Sequence, residues 1–204
     1  LMSQRFLKKS QPLFVWLAIC CMLPILNSCG IFQTRTPQLP LSNSAATFQQ
    51  PDNPQIVIVN LENAIKTLNT QNYLRCLSDS SFVFNPTSSA QGNDPGIWDS
   101  WSKTQEQIYF QNLRSAAQNL TGNQLQFTNE RYEVQSATSQ QFTANYTLTV
   151  VHNRQGVPTV VNGQIVFIIR ADANGLWYIN SWTDISGGSG TFTWSDLKAT
   201  FIRG

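Results

Sequence analysis

The apolar positions of this chain change rhythm along its length. Residues 13–26 are almost continuously apolar, interrupted by Pro24, and residues 31–53 then lose any sustained apolar period in a stretch rich in Pro, Gln, Ser, Thr and Asn. Beyond Asn53-Pro54, Val57, Leu61, Ala64, Ile65 and Leu68 recur at helical spacing, with asparagine placed as a cap and proline at the first helical position. This predicts an amphipathic helix running to about Tyr73. A short helical or extended piece over residues 75–79 follows, then a strand at Phe82-Val83-Phe84 that stops at Asn85-Pro86, and a loop over 88–96. Asp94-Pro95 repeats the cap-and-proline start. It opens a helix on which Trp98, Trp101, Gln105, Ile108, Tyr109, Leu113 and Ala116 share one stripe, ending near Asn119 with Gly122 in the turn.

The period then shortens from that of a helix to that of a strand. Over residues 141–151, Phe142, Ala144, Tyr146, Leu148 and Val150 alternate with Thr143, Asn145, Thr147 and Thr149, the pattern of a half-buried antiparallel strand. Residues 125–134, 160–170 and 176–184 read the same way, with turns at 153–158 and at Asp172-Ala173-Asn174-Gly175. Residues 194–202 close the pattern as a short helix with Thr193 as its cap. Helices first and hairpin-linked strands afterwards imply an α+β fold with the helices packed on one face of an antiparallel sheet.

Composition changes this picture in two places. The net charge of +2 comes from the start of the chain, since without Arg5, Lys8 and Lys9 the remainder carries −1. With so few charges and none clustered, the electrostatic footprint of a nucleic-acid binder is missing. Cys20 and Cys21 lie in the first apolar run, and beyond Cys29 only Cys76 remains, so no internal disulfide is expected in the domain. Cys76 and the single His152 do not make a convincing metal site, and no cofactor is implied. Ser186-Gly187-Gly188-Ser189-Gly190 lacks the lysine and the following long helix of a phosphate loop, and reads as a flexible turn.

The basic start and the apolar run, which falls short of the roughly 20 residues a spanning helix needs, are signal-peptide anatomy. Leu26-Asn27-Ser28-Cys29 resembles the bacterial lipobox. That resemblance implies cleavage before Cys29, acyl chains on its thiol and new amino group, and a stable membrane tether in the cell envelope. Gly30, where an aspartate would retain the protein at the inner membrane, implies the outer membrane. The expected organisation is a lipoprotein signal peptide over 1–28, a lipidated cysteine and flexible tether over 29–53, and one domain over 54–204.

Over residues 54–202 the order of elements resembles the NTF2-like (SnoaL-like, cystatin-related) family, in which a curved antiparallel sheet wraps long N-terminal helices into a cone. The marks are Phe82-Val83-Phe84-Asn85-Pro86, the aromatic helix from Trp98, the last strand Trp177-Tyr178-Ile179-Asn180-Ser181-Trp182-Thr183-Asp184 and the tail Trp194-Ser195-Asp196-Leu197-Lys198-Ala199. Some members are isomerases, dehydratases or epoxide hydrolases that use a carboxylate, histidine or tyrosine inside the cone. Asp184 is the best acid if this chain is such an enzyme, its plainer reading being a surface carboxylate or a partner of Arg170. His152 reads as a solvated turn residue, Asp99 and Glu106 as exposed charges on the polar side of their helix, and Cys76 as a small buried apolar residue. Trp98, Trp101, Tyr109, Phe127, Tyr146 and Trp182 converge either as the lining of a pocket for a small apolar ligand or as core filling. The functional expectation is a non-enzymatic, lipid-anchored envelope protein. It would bind that ligand in the cone, or a protein partner or second copy through the Thr-, Asn- and Gln-rich sheet face. The alternative is an isomerase- or dehydratase-like enzyme using a carboxylate in the cone.

Overall fold

Local chemistry decides where each helix starts. In the computed structural model, which describes residues 47–117 and 121–204, the Asn53 side chain accepts from the Ile56 N–H at 3.1 Å and opens α1 (Pro54–Lys66). The single helix expected to reach Tyr73 is two. Leu68 adopts a left-handed φ of 46° with its side chain fully buried, and the Asn69 side chain caps α2 (Thr70–Arg75) through the Asn72 N–H at 3.0 Å. Burial of the leucine holds a conformation that its Cβ disfavours.

Two further expectations are corrected between β1 (Val83–Asn85) and the sheet. The loop expected over 88–96 folds as α3 (Ser88–Asn93) and α4 (Pro95–Trp98). Capping and packing override poor helix propensity here: Thr87 is the N-cap, its Oγ1 accepting from the Ala90 N–H at 3.3 Å, Trp98 Nε1 donates to the Ala90 carbonyl at 3.1 Å, and the Thr87 N–H is held by Ser195 Oγ at 3.0 Å. The long aromatic helix is broken after Trp98, and α5 (Lys103–Ala116) starts afresh from a capping box formed by Ser102 and Gln105. The new start rotates the stripe. Glu106, Tyr109, Phe110 and Leu113 face inward while Ile108 is exposed.

The strands follow the alternation closely. β2 (Gln124–Ser136), β3 (Ser139–Thr149), β4 (Val160–Ala171) and β5 (Trp177–Ile185) form an antiparallel meander, and β1 adds to β5 in parallel, giving the order β1-β5-β4-β3-β2. Phe142, Ala144, Tyr146 and Leu148 of β3 are buried with Ile165, Phe167 and Ile169 of β4 and Trp182 of β5. α6 (Trp194–Phe201) closes the interior, with every residue except Asp196 and Thr200 buried. The folded unit begins before Pro54: Asn60 exchanges two bonds with the Gln49 backbone, at 2.9 and 2.7 Å, and the Trp177 N–H donates to the Pro51 carbonyl at 2.8 Å.

Candidate functional site

Two carboxylates lie inside the fold, and both are engaged. Glu106 is fully buried. Its Oε2 accepts from the Tyr73 hydroxyl at 2.6 Å, and its Oε1 accepts from Trp101 Nε1 at 2.7 Å and from the Lys198 ammonium. Lys198 is fully buried too, and its Nζ lies 3.8 Å from the Phe84 ring centroid and 3.9 Å from that of Trp182. Burial lowers the Lys198 ammonium to about 8, against the opposing pull of Glu106. Burial followed by the Glu106 charge pushes the Tyr73 and Tyr109 phenols well above their ordinary range.

Asp184 anchors the start of α6. Its Oδ2 accepts from the Ser195 N–H at 2.7 Å and from the Ser195 hydroxyl at 2.5 Å, and its Oδ1 accepts from the Tyr146 hydroxyl at 2.9 Å. The Tyr146 oxygen accepts in turn from the Trp194 N–H at 2.8 Å. Burial raises the Asp184 carboxyl, opposed by its hydrogen bonds to Ser195 and Tyr146. Thr193 and Asp196 add a capping box. At the other end of α6, Asn112 Nδ2 donates to the Phe201 carbonyl at 2.8 Å and Arg154 donates to that of Thr200 at 3.3 Å.

These positions correct several expectations. Asp184 is neither a surface carboxylate nor a partner of Arg170: its strand end is roofed by α6. Glu106 is not on a solvated face, because the capping box at Ser102 resets the phase of its helix. His152 is buried, its Nε2 lying 3.2 Å from the Pro158 carbonyl and its ring edge-on to Phe201. Cys76 is buried as expected, and burial pushes its thiol up to about 12. Lys198 stands in the sequence only as part of the closing tail, although it sits between Trp194, Leu197 and Phe201 on one helical stripe. Cys29 lies outside the described residues.

Of the six aromatics, Trp98, Trp101, Tyr109, Tyr146 and Trp182 are buried and interlocked rather than arranged around an open space. Trp98 meets Trp101 at 4.8 Å between centroids, Trp182 meets Trp194 edge-on at 4.5 Å, and Trp194 Nε1 donates to the Tyr109 hydroxyl at 2.9 Å. Phe127 stands apart. It is half-buried against Phe142 and lines a groove of about 670 Å³ between α1 and β2. Among the described residues no group of His, Cys, Asp and Glu is placed to hold a metal ion, and no helix is long and apolar enough to cross a membrane.

No family model matches the chain, and no curated protein sequence matches it significantly. Solved structures do match. One is a candidate aromatic ring hydroxylase of Novosphingobium aromaticivorans, at a TM-score of 0.54 and 16% identity over 78% of this chain and 99% of that one. Another is a candidate scytalone dehydratase of the same bacterium, at 0.51 and 7% identity over 64% and 78%. An NTF2-like protein of Rhodospirillum rubrum matches at 0.49 and 9% identity over 66% and 98%. The fold is NTF2-like. At such identities the likeness is one of fold alone. The chemistry of this NTF2-like interior therefore has to be read from its own side chains, and they leave neither inward carboxylate free.

Proposed function

We propose that this chain is a lipid-anchored protein of the bacterial cell envelope that acts by binding and not by catalysis. The observation that carries the second half is the position of α6. It takes the Glu106 carboxylate with Lys198 and the Asp184 carboxylate with Ser195, the two groups best placed inside the fold to act as acid or base. The first half rests on the basic start, the apolar run and Leu26-Asn27-Ser28-Cys29. A packed interior favours a protein partner on the outer sheet face over an apolar ligand among the aromatics. That face carries a polar ladder in which Thr147 bonds Asn162 at 2.9 Å and Asn85 bonds Thr183 at 3.1 Å. The test is native mass spectrometry of the full chain purified in detergent from its own envelope, run beside a dehydration assay on scytalone. A complex with a second polypeptide and no turnover is the expected result. Turnover that disappears in Asp184→Asn would overturn it.

An isomerase- or dehydratase-like enzyme is the second reading. It is favoured by one arrangement, the raised Asp184 carboxyl with the Tyr146 hydroxyl 2.9 Å away. In that case α6 must move for substrate to reach the pair.

A further inference from the structure

The groups that hold the Lys198 ammonium come from everywhere except its own helix. Glu106 belongs to α5, Trp101 to the turn before α5, Phe84 to β1 and Trp182 to β5, and Tyr73 of α2 acts on the ammonium only through Glu106. These walls are fixed by contacts that do not involve the lysine. Tyr73 stacks on Phe110 at 4.1 Å between centroids, and Phe84 meets Trp98 at 5.6 Å, Trp182 at 5.7 Å and Trp101 at 5.8 Å. The carboxylate is oriented from two sides by the Tyr73 hydroxyl and the Trp101 indole. We infer that the centre of the cone is a binding site for a primary alkylammonium group, filled in this chain by the tethered ammonium of Lys198.

The geometry selects for that chemistry. Ring faces 3.8 and 3.9 Å from Nζ attract a cation through their quadrupoles, and Glu106 takes one charge-assisted hydrogen bond. A neutral alcohol forfeits the attraction of the rings. A carboxylate meets Glu106 at close range. A guanidinium is broad and planar, whereas this cage closes around a point charge on a flexible four-carbon stem. An ion pair kept merely for packing would accept an uncharged group of matching volume, and the comparison of ammonium with alcohol separates the two cases. The inference goes beyond the partner-binding reading and concerns the interior alone. Turnover and partner capture test that reading, and the following assay tests the cage by itself.

Lys198→Ala in the full chain is titrated with n-butylammonium chloride and, separately, with 1-butanol at matched ionic strength, reading thermal unfolding and binding heat. The expected result is a saturable rise in unfolding temperature with the ammonium, affinity for it about tenfold or more above that for the alcohol, and loss of this preference in Glu106→Gln/Lys198→Ala. The unmodified chain should not respond, because Lys198 already holds the site. Equal responses to ammonium and alcohol, no response to either, or an equal response from the unmodified chain would each overturn the assignment. If Lys198→Ala does not fold alone, refolding in n-butylammonium but not in 1-butanol supports it, and failure in both overturns it.

Discussion

Replacing one member of the Lys198–Glu106 pair leaves the other buried without its counter-charge. Glu106→Gln and Lys198→Met should each lower stability by about 3–5 kcal/mol. The double variant should cost clearly less than the two losses added together, which a double-mutant cycle in urea measures. The pair also gives stability a pH dependence whose sign is fixed. The exposed lysine titrates at 10.5 and the buried one at about 8. Between those values the unfolded chain holds a proton that the folded chain has lost, so this group makes stability rise with pH, and below about 8 it contributes no slope. The Cys76 thiol, at 9.0 when exposed and about 12 when buried, pulls the other way from about pH 8 upward, and the tyrosine phenols do so above pH 10, so the lysine's share is the difference in slope between the unmodified chain and Lys198→Met over about pH 8 to 9.5. Residue by residue, the sequence misled at such positions. Glu106 precedes Tyr109, Phe110 and Leu113, and Lys198 falls between Trp194, Leu197 and Phe201, so each sits on an apolar stripe where a charge ordinarily marks the solvent side. The sign of burial was the stripe itself, which calls for a partner of opposite charge elsewhere in the chain.

At the scale of elements, α6 depends on what meets its two ends. Thr193→Ala removes one half of a capping box and should cost about 1 kcal/mol, read from the urea midpoint. A more indirect weakness lies in β4. A Cβ at Gly163 would stand 2.7 Å from the Tyr146 hydroxyl and 2.8 Å from the Ile185 carbonyl. Gly163→Ala should therefore cost about 1–3 kcal/mol and speed hydrogen exchange at the Trp194 amide, because the displaced hydroxyl is that amide's acceptor. The four long strands and the caps at Asn53 and Thr193 were legible, since alternation and capping are local signals. The breaks at Leu68 and at Ser102 were not. Apolar spacing carries across a helix break whenever the two halves bury the same side, and only tertiary contacts show where the backbone turns. α3 stayed hidden for the opposite reason: Ser, Gly and Asn read as a loop, and the bond from Trp98 to the Ala90 carbonyl that holds the helix comes from beyond the segment.

For the whole molecule, three of the aromatics that were candidates for a pocket, Tyr109, Tyr146 and Trp182, are each held by Trp194 of α6, so their accessibility is a property of the complete domain. The proposed membrane location is a separate matter and rests on Cys29. Cys29→Ser should move the protein from the membrane fraction to the soluble fraction, measured by fractionation of cells expressing each form, and continued sedimentation with membranes would sink the anchor proposal. The position of α6 in the chain also bears on synthesis. Trp194, Lys198 and Phe201 come after the rest of this core in the chain, and until α6 is made Glu106 lacks Lys198 and Asp184 lacks Ser195. A nascent chain growing from its N-terminus thus completes the core of this domain only once residues 194–201 have been made.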